Sequence, residues 1–150
     1  MDNIQITKMT LQDLESLSPI LETEFDNFWT TNTLKSEIEN PDSIVIIAKN
    51  NDEILGFAGL WKSVDVMHIM DIVVAKKHRS KHIGKTMLEK LIELCIQNNI
   101  YELTLEVRQD NTPAINLYTN YNFKKIGERK NYYGANNHAI IMTLYIDKNN

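Results

Sequence analysis

The most informative stretch of this chain is Leu103-Thr-Leu-Glu-Val-Arg-Gln-Asp-Asn-Thr-Pro-Ala-Ile-Asn-Leu-Tyr118, which Asn131-Tyr-Tyr-Gly134 soon follows. Apolar and polar residues alternate in its first half, and this period of two predicts a strand with one buried and one polar face. Asn111 and the nearby proline predict a capped helix in its second half. The pattern therefore puts a candidate base, Glu106, and a candidate acid, Tyr118, at the end of one sheet.

The other elements are predicted from hydrophobic periodicity and turn residues. Pro19 lies inside the first helical pattern and is expected to kink or divide that helix. The strand–helix–strand unit at 64–107 predicts two parallel strands joined by a right-handed crossover. We therefore expect one α/β domain, 1–150, with about four helices and a mixed, mostly antiparallel sheet of about six to seven strands around a central parallel pair. The predicted strands are 4–9, 43–48, 54–61, 64–74, 101–107, 124–131 and 139–146, and the predicted helices are one that begins at Thr10, 34–39, 84–97 and 112–122.

Composition and charge favour a cytoplasmic protein that does not enter membranes. The longest apolar run is far too short to span a bilayer, and the single cysteine, Cys95, suits a reducing compartment and is expected to pack in the core. Residues 1–60 carry 11 Asp or Glu against 3 Lys or Arg, and residues 61–150 carry 9 against 13, so the net charge of −4 divides into −8 and +4. This asymmetry favours an anionic ligand on one side and a cationic one on the other, although solvated charges distributed by chance give the same count.

The segment Lys76–Lys85 combines five Lys or Arg with two His where a strand leads into a helix. Basic residues usually avoid a helix N-terminus because the helix dipole is positive there. An anion bound to the free backbone N–H groups would remove the conflict, so the segment predicts a phosphate site; a plain run of surface charge is the alternative. The histidines do not stand at metal-ligand spacing, and no metal is expected.

From about Asp71 to Leu144 the chain resembles the GNAT acetyltransferases, and in particular their RimI-type branch, which acetylates the N-terminal alanine of a ribosomal protein; before Asp71 the match is loose. The resemblance implies the GNAT fold, acetyl-CoA as co-substrate, and a pyrophosphate loop at Arg79-Ser-Lys-His-Ile-Gly84. His82 stands where the family usually has glycine, and if that position needs a positive φ, the side chain costs about 1 kcal/mol. The residues implied to bind acetyl-CoA are Ile72, Val73 and Val74 through their backbone, Arg79, Ser80, Lys81, His82, Ile83, Gly84, Lys85, Asn111 and Tyr118.

The resemblance also assigns roles to the two candidate catalytic residues. Glu106 would deprotonate the acceptor amine, and Tyr118 would protonate the departing thiolate. The strand pattern alone favours a Glu106 engaged in a salt bridge, with Arg108, two residues away on the same strand face, as a candidate partner. The helix pattern alone favours a core tyrosine at position 118. The residues implied to bind the acceptor are Phe28, Tyr132, Tyr133 and His138, of which His138 stands where the family often has an acid.

The predicted function is transfer of an acetyl group from acetyl-CoA to a protein N-terminus, most simply the N-terminal alanine of a small-subunit ribosomal protein, by direct attack without an acyl-enzyme. A lysine side chain, a polyamine or another small amine stays open as acceptor. A non-catalytic acyl-CoA-binding module is the rival from another class, favoured by His82 and opposed by Glu106 and Tyr118. Nucleic-acid binding through Lys76–Lys85 is disfavoured because the patch is short and lacks interleaved aromatic residues. The sequence does not indicate an oligomeric state.

Overall fold

The structure is a computed structural model that describes residues 3–26 and 29–148. In this part of the chain seven strands form one sheet in the order β1-β2-β3-β4-β5-β7-β6. The pair β4 and β5 is parallel, with Met67 opposite Leu103, whereas β1–β2, β2–β3, β5–β7 and β6–β7 are antiparallel. The predicted mixed sheet with a central parallel pair is therefore confirmed. The strands are β1 Ile4–Lys8, β2 Ser43–Asn50, β3 Glu53–Ser63, β4 Val66–Val74, β5 Glu102–Arg108, β6 Lys124–Arg129 and β7 Ala139–Tyr145, and the helices are α1 Leu11–Leu17, α2 Thr31–Glu39, α3 Ile83–Gln97 and α4 Thr112–Asn120.

The N-terminal helices show how local chemistry sets the element boundaries. Thr10 and Asp13 form a capping box at α1, in which each side chain accepts a hydrogen bond from the other residue's backbone N–H. After α1 the backbone tightens into a 3-10 turn at Ser18–Ile20, so Pro19 divides the predicted helix as expected. Helix α2 begins three residues earlier than predicted because Thr30 caps it.

Two compact units can be distinguished among the described residues. The first comprises the chain as far as Lys62 together with Met70–Leu91, and the second comprises Ser63–Ile69 together with the chain from Ile92 onward. The expectation that residues 1–150 form one domain stays a prediction. No helix in the described part of the chain is both long and apolar enough to cross a membrane.

The core of the first unit lies between its helices and its strands. The rings of Phe25 and Phe57 pack with their centroids 5.6 Å apart, and Leu17 and Leu34 are almost fully buried beside them. Gly56 of β3 lets the neighbouring strand come close, because a Cβ there would lie 2.5 Å from the carbonyl oxygen of Val73. The close approach fixes the position of β4 just before the basic loop.

The core of the second unit follows the alternation of β5. Leu103, Leu105 and Val107 are buried, whereas the residues between them are partly exposed, as the sequence pattern predicts. Cys95 is fully buried on α3, and its burial raises the pKa of its thiol to about 12. The thiol therefore stays protonated near neutral pH, which agrees with a packing role.

Candidate active site

Glu106 lies on the polar face of β5 in the second unit, with its side chain 29% exposed. Its carboxylate forms an ion pair with Arg129 of β6, whose Nε lies 2.9 Å from Oε1 of Glu106. Strand β7 separates these two strands in the sheet, so the arginine side chain reaches across it. Arg108, the partner that the strand pattern suggested, instead forms an ion pair with Asp110 at 3.3 Å, and that detail of the prediction is wrong.

Two aromatic rings stand beside this charged group. The rings of Tyr132 and Tyr133 meet edge to face with centroids 5.0 Å apart. The guanidinium of Arg129 lies 5.6 Å from the Tyr132 ring centroid, and that of Arg108 lies 5.3 Å from the Tyr133 ring centroid. Such cation–π contacts hold flat aromatic surfaces in place while leaving them accessible. One arginine thus connects the carboxylate of Glu106 to the exposed aromatic pair.

The loop between β6 and β7 holds these tyrosines through its own hydrogen bonds. The Nδ1 of His138 accepts a hydrogen bond of 2.8 Å from the backbone N–H of Asn131. Gln109 donates to the carbonyl of Asn136, and the N–H of Asn136 donates to the side chain of Asn131. His138 therefore closes the base of the loop; its predicted contact with the acceptor stays a prediction.

Tyr118 is buried on α4, where its ring packs against Phe123 with centroids 5.5 Å apart. The helix begins where the side chain of Asn111 accepts a hydrogen bond of 3.3 Å from the N–H of Ala114, with a proline in its first turn. The capping role that the sequence suggested for Asn111 is confirmed. Its contact with acetyl-CoA stays a prediction, as do the catalytic roles of Glu106 and Tyr118.

His68 of β4 is a feature of this polar face that the sequence reasoning missed. The parallel register puts it opposite Thr104 of β5, the residue between Glu102 and Glu106 on that face. Partial burial lowers the pKa of His68 below its ordinary value of 6.5, and the negative charges of Glu106 and Glu102 oppose that shift. A single histidine in a strand does not indicate a function from the sequence alone. Only the register of the parallel strands shows that it lies beside the carboxylates.

The predicted pyrophosphate loop lies in the first unit, at the start of α3. Ser80 and His82 both have a left-handed backbone, with φ of 65° and 63°, and the helix begins directly afterwards. Residues that alternate in this way turn successive N–H groups toward one side and form a concave anion site. The first turn of a helix adds N–H groups that have no partner within the helix. The backbone geometry therefore fits a diphosphate, and position 82 does need the conformation that glycine adopts most easily.

Part of the basic segment forms ion pairs with acidic residues of the same unit. Lys77 lies 3.4 Å from Glu24 and 3.0 Å from Glu53, and the buried His78 also lies 3.1 Å from Glu53. Lys76 and Arg79 both contact Asp26, at 3.4 and 3.1 Å. The residues at 76–79 thus neutralise nearby carboxylates, and the phosphate-like geometry is confined to 80–85.

The strand Ile72–Val74 ends β4 just before this loop. The N–H of Ile72 donates to the carboxylate of Asp71 at 2.9 Å, and Trp29 Nε1 donates to the same carboxylate at 3.2 Å. Burial raises the pKa of Asp71, although both hydrogen bonds act in the opposite direction. Phe28, which was predicted to bind the acceptor, lies outside the described residues.

Comparisons with known proteins agree with this fold. The acetyltransferase (GNAT) family model matches residues 14–123. A Bacillus subtilis protein provisionally named ribosomal protein bS18-alanine N-acetyltransferase is 30% identical over 145 residues, covering 95% of this chain and 96% of that protein. The crystal structure of the ribosomal-protein-S18-alanine N-acetyltransferase from Escherichia coli is similar with a TM-score of 0.85 at 28% identity, covering 96% of this chain and 94% of that one. Ard1 from Thermoplasma volcanium has a TM-score of 0.82 at 26% identity, covering 96% and 98%.

The chain therefore belongs to the GNAT family of acetyltransferases. It is an acetyl-CoA-dependent N-acetyltransferase of the RimI-like kind, and the predictions of family, fold and enzyme class are confirmed.

Proposed function

We propose that this enzyme acetylates protein N-termini, and that its acceptor is the N-terminal alanine of a small-subunit ribosomal protein. The observation that carries the proposal is the link from Glu106 through Arg129 to the exposed Tyr132–Tyr133 pair. This link places a carboxylate that can accept a proton from an amine next to a rigid aromatic surface that can bind the first residue of an acceptor chain. The bacterial relatives named for the same reaction support the choice of acceptor.

Acetyl-CoA would be held by the backbone of residues 80–85, together with Arg79 and Asn111. The concave loop at Ser80 and His82 and the free N–H groups of the α3 N-terminus support this assignment. The backbone of Ile72–Val74 would lie along the pantetheine arm and stabilise the developing oxyanion. The ion pairs at 76–79 engage Lys76 and Lys77 with carboxylates, so the backbone of 80–85, with Lys81 and Lys85, is left to bind the diphosphate.

In the proposed mechanism Glu106 accepts a proton from the acceptor ammonium, through a water molecule, and the free amine attacks the thioester carbonyl. Tyr118 donates its hydroxyl proton to the departing thiolate, so no acyl-enzyme forms. An α-amine titrates near pH ~8 and a lysine near ~10.4, so an α-amine demands much less from the base. The protonated, buried thiol of Cys95 is consistent with direct transfer.

The test is release of the CoA thiol from acetyl-CoA with a peptide that bears a free N-terminal alanine. The comparison peptide has a blocked N-terminus and a free internal lysine. We expect release and acetylation only with the free terminus. Glu106→Gln and Tyr118→Phe should each lower kcat by about 10²-fold with KM for acetyl-CoA unchanged, whereas the exposed Tyr145→Phe serves as the matched control.

The other outcomes separate the remaining functions. Acetylation of both peptides would favour a lysine acceptor and contradict the proposal. Turnover of neither peptide would shift the assignment to a small amine or polyamine, or, if acetyl-CoA still binds, to a non-catalytic acyl-CoA-binding role.

A further inference from the structure

Asp71 joins two parts of the first unit that are far apart in the sequence. Its Oδ2 accepts a hydrogen bond of 3.2 Å from the indole Nε1 of Trp29, the residue just before the cap of α2. Its Oδ1 accepts a hydrogen bond of 2.9 Å from the backbone N–H of Ile72, the next residue of β4. One carboxyl group therefore bridges the start of α2 and the backbone of the strand.

The bridging carboxyl group stands in a row of apolar side chains. Met67, Ile69 and Val73 are buried at alternate positions of β4, and Asp71 occupies the position between the last two. A hydrogen bond from a backbone N–H to the side chain of the preceding residue is a local contact that competes with regular strand pairing. The side chain of Asp71 thus sets the direction of the peptide group at Ile72.

A carboxyl group at this position is costly for the fold. The small cavity of about 10 Å³ that Asp71 and Trp29 line is otherwise walled mainly by apolar residues, among them Leu34, Val45 and Phe57. In the described part of the chain no cation acts on the carboxyl group, and burial raises its pKa. An apolar residue would avoid this cost but could accept neither hydrogen bond. An asparagine has only one side-chain oxygen, so it cannot reproduce the bridge with two separate acceptors.

The peptide group that Asp71 holds belongs to the segment 72–74, to which the proposed function assigns the pantetheine arm and the oxyanion. Stabilisation of an oxyanion depends on N–H groups that are fixed in place before the reaction. A misplacement of about 1 Å can lower the rate by about 10²-fold. Because each peptide group is planar, the hydrogen bond at Ile72 also fixes the direction in which the strand continues toward Val74.

We propose that Asp71 is a positioning residue for acetyl transfer, which holds the backbone of 72–74 in its productive orientation by bridging Ile72 to Trp29. This inference rests on the proposed function, because it requires that 72–74 bind the acetyl group. Asp71 exchanges no proton with the substrates, and its effect reaches the reaction through the strand. The bridge also ties the segment before α2 to this strand, so a change at Trp29 alters the rate of transfer.

The test compares kcat, KM for acetyl-CoA and the free energy of unfolding at pH 7 in variants of the bridge. Asp71→Asn should lower kcat for the N-terminal alanine peptide by about 10-fold with KM for acetyl-CoA unchanged and without a loss of stability. Trp29→Phe keeps a ring but removes the indole donor, and it should lower kcat by about 3-fold. The double variant should be no slower than Asp71→Asn alone, because both changes break the same bridge. The exposed Asp65→Asn, directly before β4, is the matched control and should keep the wild-type kcat.

An NMR spectrum of the backbone amides tests the bridge without relying on activity. The amide resonance of Ile72 should shift in Asp71→Asn and also in Trp29→Phe, because both changes alter the carboxyl group that accepts its hydrogen bond. Trp61→Phe, which changes an exposed tryptophan of β3, is the matched control and should leave this resonance in place.

A purely structural role for Asp71 predicts a different pattern and would overturn the inference. In that case Asp71→Asn keeps the wild-type kcat, or loses activity only in proportion to a loss of stability. Additive losses in the double variant, or an Ile72 resonance that does not respond to Trp29→Phe, would equally overturn it. Failure of the proposed function is separate, because it is visible in the wild type alone as acetylation that does not require a free N-terminus.

Discussion

At position 82 the backbone adopts a conformation that suits glycine better than histidine. With φ of 63°, the Cβ of His82 destabilises the folded state by about 1–2 kcal/mol. Glycine would remove this strain, but it would also lose about 0.5–1 kcal/mol of stability because it makes the unfolded chain more flexible. We therefore expect His82→Gly to raise the free energy of unfolding by about 0.5–1 kcal/mol, measured by urea denaturation. Lys81→Gly is the matched control, because Lys81 is not left-handed and should lose stability by a similar amount. A loss of stability in both variants would contradict the left-handed geometry of the loop.

The candidate site was predictable residue by residue only where the relevant neighbour lies close in the sequence. The polar face of Glu106 follows from alternation within β5, and the cap at Asn111 follows from the adjacent helix. The ion pair with Arg129 joins strands β5 and β6, which are separated in the sheet by β7 and are far apart in the chain. Alternation cannot specify such a partner, so the sequence suggested the nearer Arg108 instead.

Strands β3 and β4 approach each other so closely at Gly56 that one added carbon would not fit. A Cβ on Gly56 would lie 2.5 Å from the carbonyl oxygen of Val73, a backbone atom that cannot turn away. Gly56→Ala should therefore destabilise the protein by about 1–3 kcal/mol, seen as a lower midpoint in thermal unfolding. Gly127→Ala is the control, because its Cβ would make an ordinary contact of 3.6 Å with Ile141 and should change stability by at most about 0.5 kcal/mol. Equal stability of the two variants would contradict the close approach of these strands.

The helices and strands could be predicted because hydrophobic periodicity, prolines and turn residues depend only on neighbouring positions in the sequence. Pro19 divides the first helix as expected, and the turn at Asn51, with φ of 56°, separates β2 from β3. The early start of α2 was missed because its cap, Thr30, four residues before the predicted start, stands among several equivalent polar residues. Leu11 is the first residue of α1 and is 48% exposed, whereas Leu14 and Leu17 on the same face are buried. Local patterns thus predict which elements exist better than they predict where each begins.

Over the whole molecule the unequal charge of the two halves of the chain is partly cancelled by internal pairs. Glu24, Asp26 and Glu53 come from the acidic half, and they contact Lys76, Lys77 and Arg79 from the basic half. These pairs are exposed, so each adds little to stability. Their main effect is on recognition, since they lower the positive field around the basic segment and make simple electrostatic binding of nucleic acid less favourable.

Two aspartates in the first unit should shape the pH dependence of stability in opposite directions. For Asp13, burial alone would raise the pKa, but the hydrogen bonds from Lys49 at 2.6 Å and from Thr10 lower it overall. A lowered pKa contributes stability above the unfolded value of 3.8, and this contribution is lost as the pH falls through the folded pKa. For Asp71, burial raises the pKa, so its contribution is present below 3.8 and is lost as the pH rises through the folded value.

Denaturation of single variants between pH 3 and 8 separates these two effects. At pH 7, Asp13→Asn should lower the free energy of unfolding by roughly 1–3 kcal/mol because it removes a charged hydrogen bond. Asp71→Asn should raise that free energy at pH 7, because an amide keeps the acceptor for Trp29 without placing a charge in the core. The difference for Asp71→Asn should vanish toward pH 3, because its raised pKa leaves the carboxyl protonated there. The difference for Asp13→Asn should shrink as the pH falls toward the lowered pKa of Asp13, while the exposed Glu89→Gln should follow the wild type throughout. A destabilised Asp71→Asn at pH 7 would show that the charge at position 71 is compensated by more than its hydrogen bonds to Trp29 and Ile72.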